Sequence, residues 1–354
     1  MAIPIRALIL SLWLLSASAS RAATTQVVIP LTRVGNAGNP DVKGTLYPFG
    51  GVAYEFEIAK TEVSAWQYLQ FLNQVDPLGA NELHLYESPL MLYSNGITLD
   101  NSRALGATYQ FWASDFANYP LVTPSWYSAA RFANWMHNGQ GAGDTETGSY
   151  TLIGRTPIPL DGDSIRRNPE ATWVIPSIDE WFKAAFHKND GPTGNYWTYP
   201  TSRDTYPYSA KPPGNFAPDR ANTGNVYADD GLKNGYNDGY AKTGSTDYFP
   251  GQIYLTDVGA YRFSVSPYGT LDQFGNIDEW TETPAHVEGT RYLGPDSRYQ
   301  NNYLSAWAGG PGFRLAKVPE PTSSLLAMWL LQGLASRSSR RPVKLPSKSR
   351  PWVR

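Results

Sequence analysis

Leu271-Asp272-Gln273-Phe274-Gly275-Asn276-Ile277-Asp278-Glu279-Trp280, joined further along by Gly312-Phe313-Arg314-Leu315-Ala316, carries the decisive pattern of this sequence. Gly275-Asn276 reads as a tight turn in which Asn276 and Glu279 can satisfy neighbouring backbone groups. Trp280 reads as a core ring, and Arg314 as the partner of an internal carboxylate ahead of a substrate contact. The chain around these segments contains no cysteine among its 354 residues. Disulfides are therefore excluded, and so is any metal centre that depends on soft thiolate ligands.

Outward from this core, three stretches carry helix starts. Ser64 and Gln67 stand at capping-box spacing, with Ala65, Tyr68, Leu69 and Leu72 repeating on one face before Asp76-Pro77 ends the helix. A second helix is expected from Ser125 to about Asn138, with Ala129, Phe132, Ala133 and Met136 on one face and Gly139 at its end. The third begins at Pro176-Ser177-Ile178-Asp179-Glu180-Trp181, an N-cap Ser with Glu three residues on, followed by Ala184-Ala185. Residues 26–31 and 54–58 read as the strands of an opening hairpin.

With 14% aromatic residues, including 12 Trp and 23 Tyr, alongside 32 Gly and 28 Pro, the composition describes short elements separated by turns and pinned by large rings. It excludes a helical bundle and a disordered chain. One domain over residues 28–317 is expected. Within it, residues 203–251 are rich in Asn, Asp, Gly and Tyr and show no periodicity; so long a loop in a compact domain is functional or held by ligands. Its acidic members Asp229, Asp230, Asp238 and Asp247 do not fall at EF-hand offsets and read as solvated turns.

The two ends carry export signals. Arg6, an apolar run from Ala7 to Leu15 and a small-residue stretch ending at Ala22-Ala23 predict a signal peptide over residues 1–22. Near the other end, Val318-Pro319-Glu320-Pro321, an apolar run and Arg337, Arg340 and Arg341 resemble the Pro-Glu-Pro (PEP-CTERM) sorting signal of exported bacterial proteins, over residues 318–341 with a basic tail at 342–354. Residues 323–336 would span about 21 Å as a helix, short of a ~30 Å hydrocarbon core, so the expected anchoring is transient. Without Arg6, Arg21 and the seven basic residues from Arg337 onward, 20 basic residues face 31 acidic ones, a balance of −11. Such a domain has no electrostatic reason to bind nucleic acid or anionic lipid.

Glu62-Val63-Ser64 with Tyr68 and Phe71-Leu72, then Ser125-Trp126 with Ala129, Phe132 and Trp135, then Ile175-Pro176-Ser177 with Glu180-Trp181, followed by the two opening segments, make five pieces in a fixed order. In that order the chain resembles the formylglycine-generating enzyme, or sulfatase-modifying factor, family over about residues 45–317. The resemblance implies an α+β fold, loop-rich and C-type-lectin-like, with short helices and small antiparallel sheets. It also implies calcium, held by the side chains of Asn276 and Glu279 with main-chain carbonyls near Gly275 and Ile277, and Asn222 as the match to the family's other calcium loop. Mixed carboxylate, amide and carbonyl oxygens are the donors Ca²⁺ takes. The family's oxidase chemistry runs through two cysteine thiolates that hold copper. Here Arg291-Tyr292-Leu293-Gly294 and Ser305-Ala306-Trp307 stand in that region, so copper is not expected.

Other chemistries lack their residues. The four histidines, His84, His137, His187 and His286, form no His-Glu-x-x-His pair, and no Gly-x-Ser-x-Gly elbow or phosphate-binding loop occurs. The expected function is an exported, non-catalytic binding or structural module that meets a glycan or protein at the cell envelope. Tyr292, Arg298, Tyr299, Tyr303 and Trp307 are its candidate recognition residues, rings and Arg interleaved with small polar side chains. The alternative is a metal-dependent oxidoreductase acting on a peptide or a small thiol.

Overall fold

Val34, Phe56 and Ile58 are buried together because β1 (Leu31–Val34) pairs antiparallel with β2 (Phe56–Ala59), Leu31 opposite Ala59 and Val34 opposite Phe56. The opening hairpin thus starts later than the 26–31 run predicts. A computed structural model describes the protein over residues 25–44, 48–282, 292–293 and 310–319. Next comes α1 (Ala65–Val75), whose N-cap Ser64 accepts from the Gln67 amide while Gln67 Oε1 accepts from the Ser64 amide. Such a reciprocal cap is worth about 1 kcal/mol.

The short α2 (Leu90–Asn95) lacks a side-chain cap and stops at Gly96 in the left-handed region, φ 67°. The sequence reading missed it, since six residues show no clear period. A hairpin of β3 (Ile97–Leu99) and β4 (Tyr109–Phe111) follows, then α3 (Trp126–His137), capped by Ser125. After β5 (Trp173–Val174), α4 (Ile178–Phe186) repeats the capping box, Ser177 with Glu180.

Residues 203–251 are not structureless. They contain β6 (Tyr208–Ser209) paired in parallel with β7 (Thr223–Gly224), and β8 (Tyr227–Asp229) paired antiparallel with β9 (Asp238–Tyr240). Short side chains hold the turns between them: Asp229 Oδ1 accepts from the Gly231 amide and Asp230 Oδ1 from the Leu232 amide. Rings stack behind β9, Tyr240 lying 4.8 Å from Tyr227 and 4.4 Å from Tyr254.

Finally β10 (Glu279–Trp280) pairs with β11 (Tyr292–Leu293), and β12 (Ala316–Lys317) enters the first sheet between β2 and β5, Ala316 facing Ile58 on one side and Val174 on the other. The sheet order β1-β2-β12-β5 therefore closes the domain by placing its last strand beside one of its first. Phe313, just before β12, meets Phe132 of α3 at 5.5 Å, and Phe132 meets Phe71 of α1 at 5.3 Å and Trp135 at 5.4 Å. Buried rings of this kind contribute about 1.5–3 kcal/mol each. Trp280 packs half-buried against this core, its indole N–H donating to the Pro124 carbonyl at 2.8 Å.

The candidate functional site and its buried carboxylates

Gly275 and Asn276 both adopt positive φ, 90° and 63°, so the chain reverses sharply and brings Asn276, Glu279 and Asp272 inward. Only glycine fits at 275, because a Cβ there would stand 2.5 Å from the Asn225 carbonyl oxygen. Gly312 is under the same constraint, with Leu121 O at 2.2 Å from the position of a Cβ.

Arg314 lies opposite, at 0% exposure. Its Nε and one terminal nitrogen each donate at 2.7 Å to the two oxygens of Glu279, and the other N–H groups reach the carbonyls of Ala59, Lys60 and Leu271. All five donors of the guanidinium thus have acceptors, the condition under which a buried charge is tolerated. Glu279 Oε2 also accepts from the Trp181 indole at 3.0 Å. Arg314 is therefore bound to an internal carboxylate, as its sequence position suggests.

Two more acids sit in this cluster. Asp272 Oδ2 accepts from the Gly259 amide, and Glu62 Oε1 accepts from Asn276 Nδ2 at 3.3 Å. The second oxygens, Asp272 Oδ1 and Glu62 Oε2, have no ordinary donor. Burial drives both upward, Glu62 well above the usual carboxylate range with the Asp272 charge adding to the rise, and Asp272 to about 6, where the Gly259 amide, Arg314 and a hydrogen bond with Glu62 moderate the rise. A Glu two residues before the helix cap Ser64 and an Asp two residues before Phe274 are the only sequence signals for this pair, and neither indicates which acid the other would meet.

A second buried network ties the helices to the loops. Arg167 grips Glu180 through both terminal nitrogens at 3.0 Å and reaches Glu282 at 2.8 Å, while the Tyr54 hydroxyl donates to Glu180 Oε1 at 2.5 Å. Arg131 holds both oxygens of Glu146 through Nε and one terminal nitrogen, at 2.6 and 3.0 Å. Sequence reasoning found Glu180 as a cap and missed these partners, which lie far from one another along the chain.

The residues expected to hold calcium are otherwise engaged. Asn276 Oδ1 accepts from Asn225 Nδ2 at 2.9 Å, from the Thr256 amide at 3.1 Å and from the Thr256 hydroxyl at 3.3 Å, and the Gly275 carbonyl accepts from the Ile277 amide. Both oxygens of Glu279 serve Arg314. An ion at Gly275, Asn276, Ile277 and Glu279 would have to displace a guanidinium, so this donor set does not fit a resident calcium as folded. Asn222 is committed elsewhere: its Oδ1 accepts from the Thr201 hydroxyl at 2.5 Å and its Nδ2 donates to Thr205 and Tyr206. These side chains satisfy buried neighbours in the folded turn. Among the described residues no group of three or more His, Asp or Glu is placed to hold a metal ion.

Of the candidate recognition residues, Tyr292 lies on β11 opposite Trp280. Arg298, Tyr299, Tyr303 and Trp307 lie outside the described residues, as do the signal-peptide stretch 1–22 and residues 323–336. No helix among the described residues is long and apolar enough to cross a membrane.

The model of the sulfatase-modifying factor enzyme 1-like domain family matches residues 36–319. Among solved structures, one titled as the crystal structure of CarF is similar at 19% identity and a TM-score of 0.46, covering 83% of this chain and 99% of the other. Treponema denticola variable protein 1 is similar at 16% identity and a TM-score of 0.43, covering 84% of this chain and 98% of its own. No curated protein sequence matches the chain.

Proposed function

The chain belongs to the sulfatase-modifying factor enzyme 1-like domain family, and we propose that it is an exported, non-catalytic binding module that uses this scaffold to engage a glycan or protein at the cell envelope. The observation that carries the reading is the absence of cysteine from all 354 residues. The oxidase chemistry associated with the family needs thiolates to hold copper, and neither Ser nor Asp supplies an equivalent soft ligand. What remains is a scaffold whose buried arginines are each matched to carboxylates: Arg314 with Glu279, Arg167 with Glu180 and Glu282, Arg131 with Glu146. Groups neutralised in this way support a rigid surface, and none of them is presented to a substrate.

Export enters the proposal through the signal-peptide and sorting patterns at the two ends, and calcium has no part in it. The test incubates the full chain with a cysteine-containing sulfatase-type peptide and copper, and in parallel measures its retention on isolated cell-envelope material. Retention without peptide modification is the expected result. An aldehyde-bearing peptide found by mass spectrometry overturns the non-catalytic reading, and recovery of the chain wholly in the cytoplasmic fraction overturns the envelope reading.

A further inference from the structure

Within residues 203–251 the turns around β6 and β9 enclose a cleft of about 210 Å³, separate from the buried ion pairs. Phe216 lines it and is 74% exposed. The ring lies over Gly235, where a Cβ would stand 2.9 Å from Phe216 Cβ, so the missing side chain allows the two to approach. Tyr236 and Tyr240 also line the cleft, each held edge-on by a second ring, Tyr208 at 5.4 Å and Tyr227 at 4.8 Å. These rings supply the apolar faces of the cleft.

Two opposite charges share the cleft without neutralising each other. Asp238 is aimed by its own loop, Oδ1 accepting from the Asn234 amide at 3.2 Å and Oδ2 from the Gly235 amide at 2.9 Å. Each oxygen keeps a further lone pair for a ligand. Lys211 also lines the cleft, and neither it nor Asp238 has an ion-pair partner among the described residues. A hydrocarbon ligand would strip water from both charges and return nothing. A phosphate ester would meet the Asp238 carboxylate. A hydroxyl both donates and accepts, so adjacent hydroxyls on one ring complement the pair, while the C–H face of that ring covers Phe216.

Size narrows the choice further. A cavity of about 150 Å³ takes a benzene ring, so this cleft holds one six-membered ring with its substituents and excludes a nucleotide. We propose that the Phe216–Lys211–Asp238 cleft binds a single pyranose unit of an uncharged glycan. The inference rests on the reading of the chain as an envelope-binding module, and it names the ligand class of that module.

Saturation-transfer NMR on the full chain, with methyl glucoside, methyl mannoside and N-acetylglucosamine as probes, tests it. Ring protons of at least one sugar should receive saturation from the wild type, and Phe216→Ala should weaken that binding at least tenfold with an unchanged melting temperature. Lys211→Met and Asp238→Asn should weaken it as well while leaving the cleft folded. No saturation of any of the three sugars, or undiminished saturation with Phe216→Ala, overturns the proposal. If envelope retention persists in either of those cases, the cleft is wrong and the module stands. Sugar binding that depends on Phe216 in a chain with no envelope retention supports the cleft and removes the envelope reading.

Discussion

Arg314 in the approach to β12 holds Glu279 of β10, 35 residues earlier, by two parallel bonds of 2.7 Å, with both side chains out of reach of solvent. The bond joins the two segments whose pattern identifies the fold, and it explains why one carries Glu-Trp and the other Phe-Arg. Its energetics are those of a buried pair: removing one partner leaves an uncompensated charge, a loss of about 3–5 kcal/mol. Glu279→Gln and Arg314→Met should each fall in that range by urea denaturation. The double variant Glu279→Leu with Arg314→Met should cost clearly less than the two single losses added, and additive losses would show that the pair does not act as a unit.

Arg314→Lys tests geometry instead of charge. Lysine offers three donors at a point, whereas the site supplies acceptors for a planar fork from Glu279, Ala59, Lys60 and Leu271. The variant should lose about 2 kcal/mol or more despite its retained charge, measured in the same unfolding experiment. Wild-type stability would show that the fork geometry is unimportant.

Glu62 and Asp272 give stability a definite pH dependence. Both are raised in the folded protein, Asp272 to about 6 and Glu62 well above its ordinary value. In the unfolded chain they ionise near pH 4. The folded state therefore binds more protons than the unfolded state between about pH 4 and pH 6 and beyond. Their contribution is fully present below that window and is lost as pH rises through it, with Asp272 accounting for about 3 kcal/mol and Glu62 acting in the same direction. Glu180 has the opposite sign, lowered by Arg167, so its contribution disappears as pH falls below the usual carboxylate range. Thermal melts from pH 4.5 to 8 should decline for the wild type and flatten for Glu62→Gln. A wild-type curve that rises through this window would refute the upward shift of the two carboxyls.

Metal removal separates the folded turn from the calcium expectation. Melting curves of the full chain in calcium and in chelator should superimpose, because Asn276 and Glu279 already serve Asn225, Thr256 and Arg314. A calcium-dependent rise of several degrees, abolished by Glu279→Ala, would show that an ion enters the turn and that the Arg314 bond yields to it.

Gly275→Ala should be among the most damaging single changes. The added methyl meets the backbone oxygen of Asn225 at 2.5 Å, and the residue must also hold φ 90°. A loss of about 3 kcal/mol or more is expected in denaturant unfolding. A change below about 1 kcal/mol would mean that the β7 segment can move away from the turn.

Local chemistry was legible in the sequence wherever a few neighbouring residues suffice. Ser64 with Gln67, Ser125, and Ser177 with Glu180 each satisfy helix-end amides three residues away, so the starts of α1, α3 and α4 can be read without knowing the rest of the chain. The tight turn at Gly275-Asn276 is local for the same reason, and the family order of the segments fixed the α+β architecture. By contrast α2, with six residues and no cap bond, emerges only where its Met91 meets the core.

Tertiary structure decided the partners. Ala316 lies between Ile58 and Val174, Glu62 beside Asp272, and Arg167 between Glu180 and Glu282, all from distant parts of the chain. It also decided what Asn276 and Glu279 do: the oxygens that suggest calcium by type are filled by Thr256, Asn225 and Arg314, neighbours that only the fold supplies. The ordering of residues 203–251 has the same origin, since two-residue strands and clustered tyrosines are stable only against one another and the core. Side-chain type sets what a residue can bind, whereas the chain's long-range closure sets which partner reaches it first.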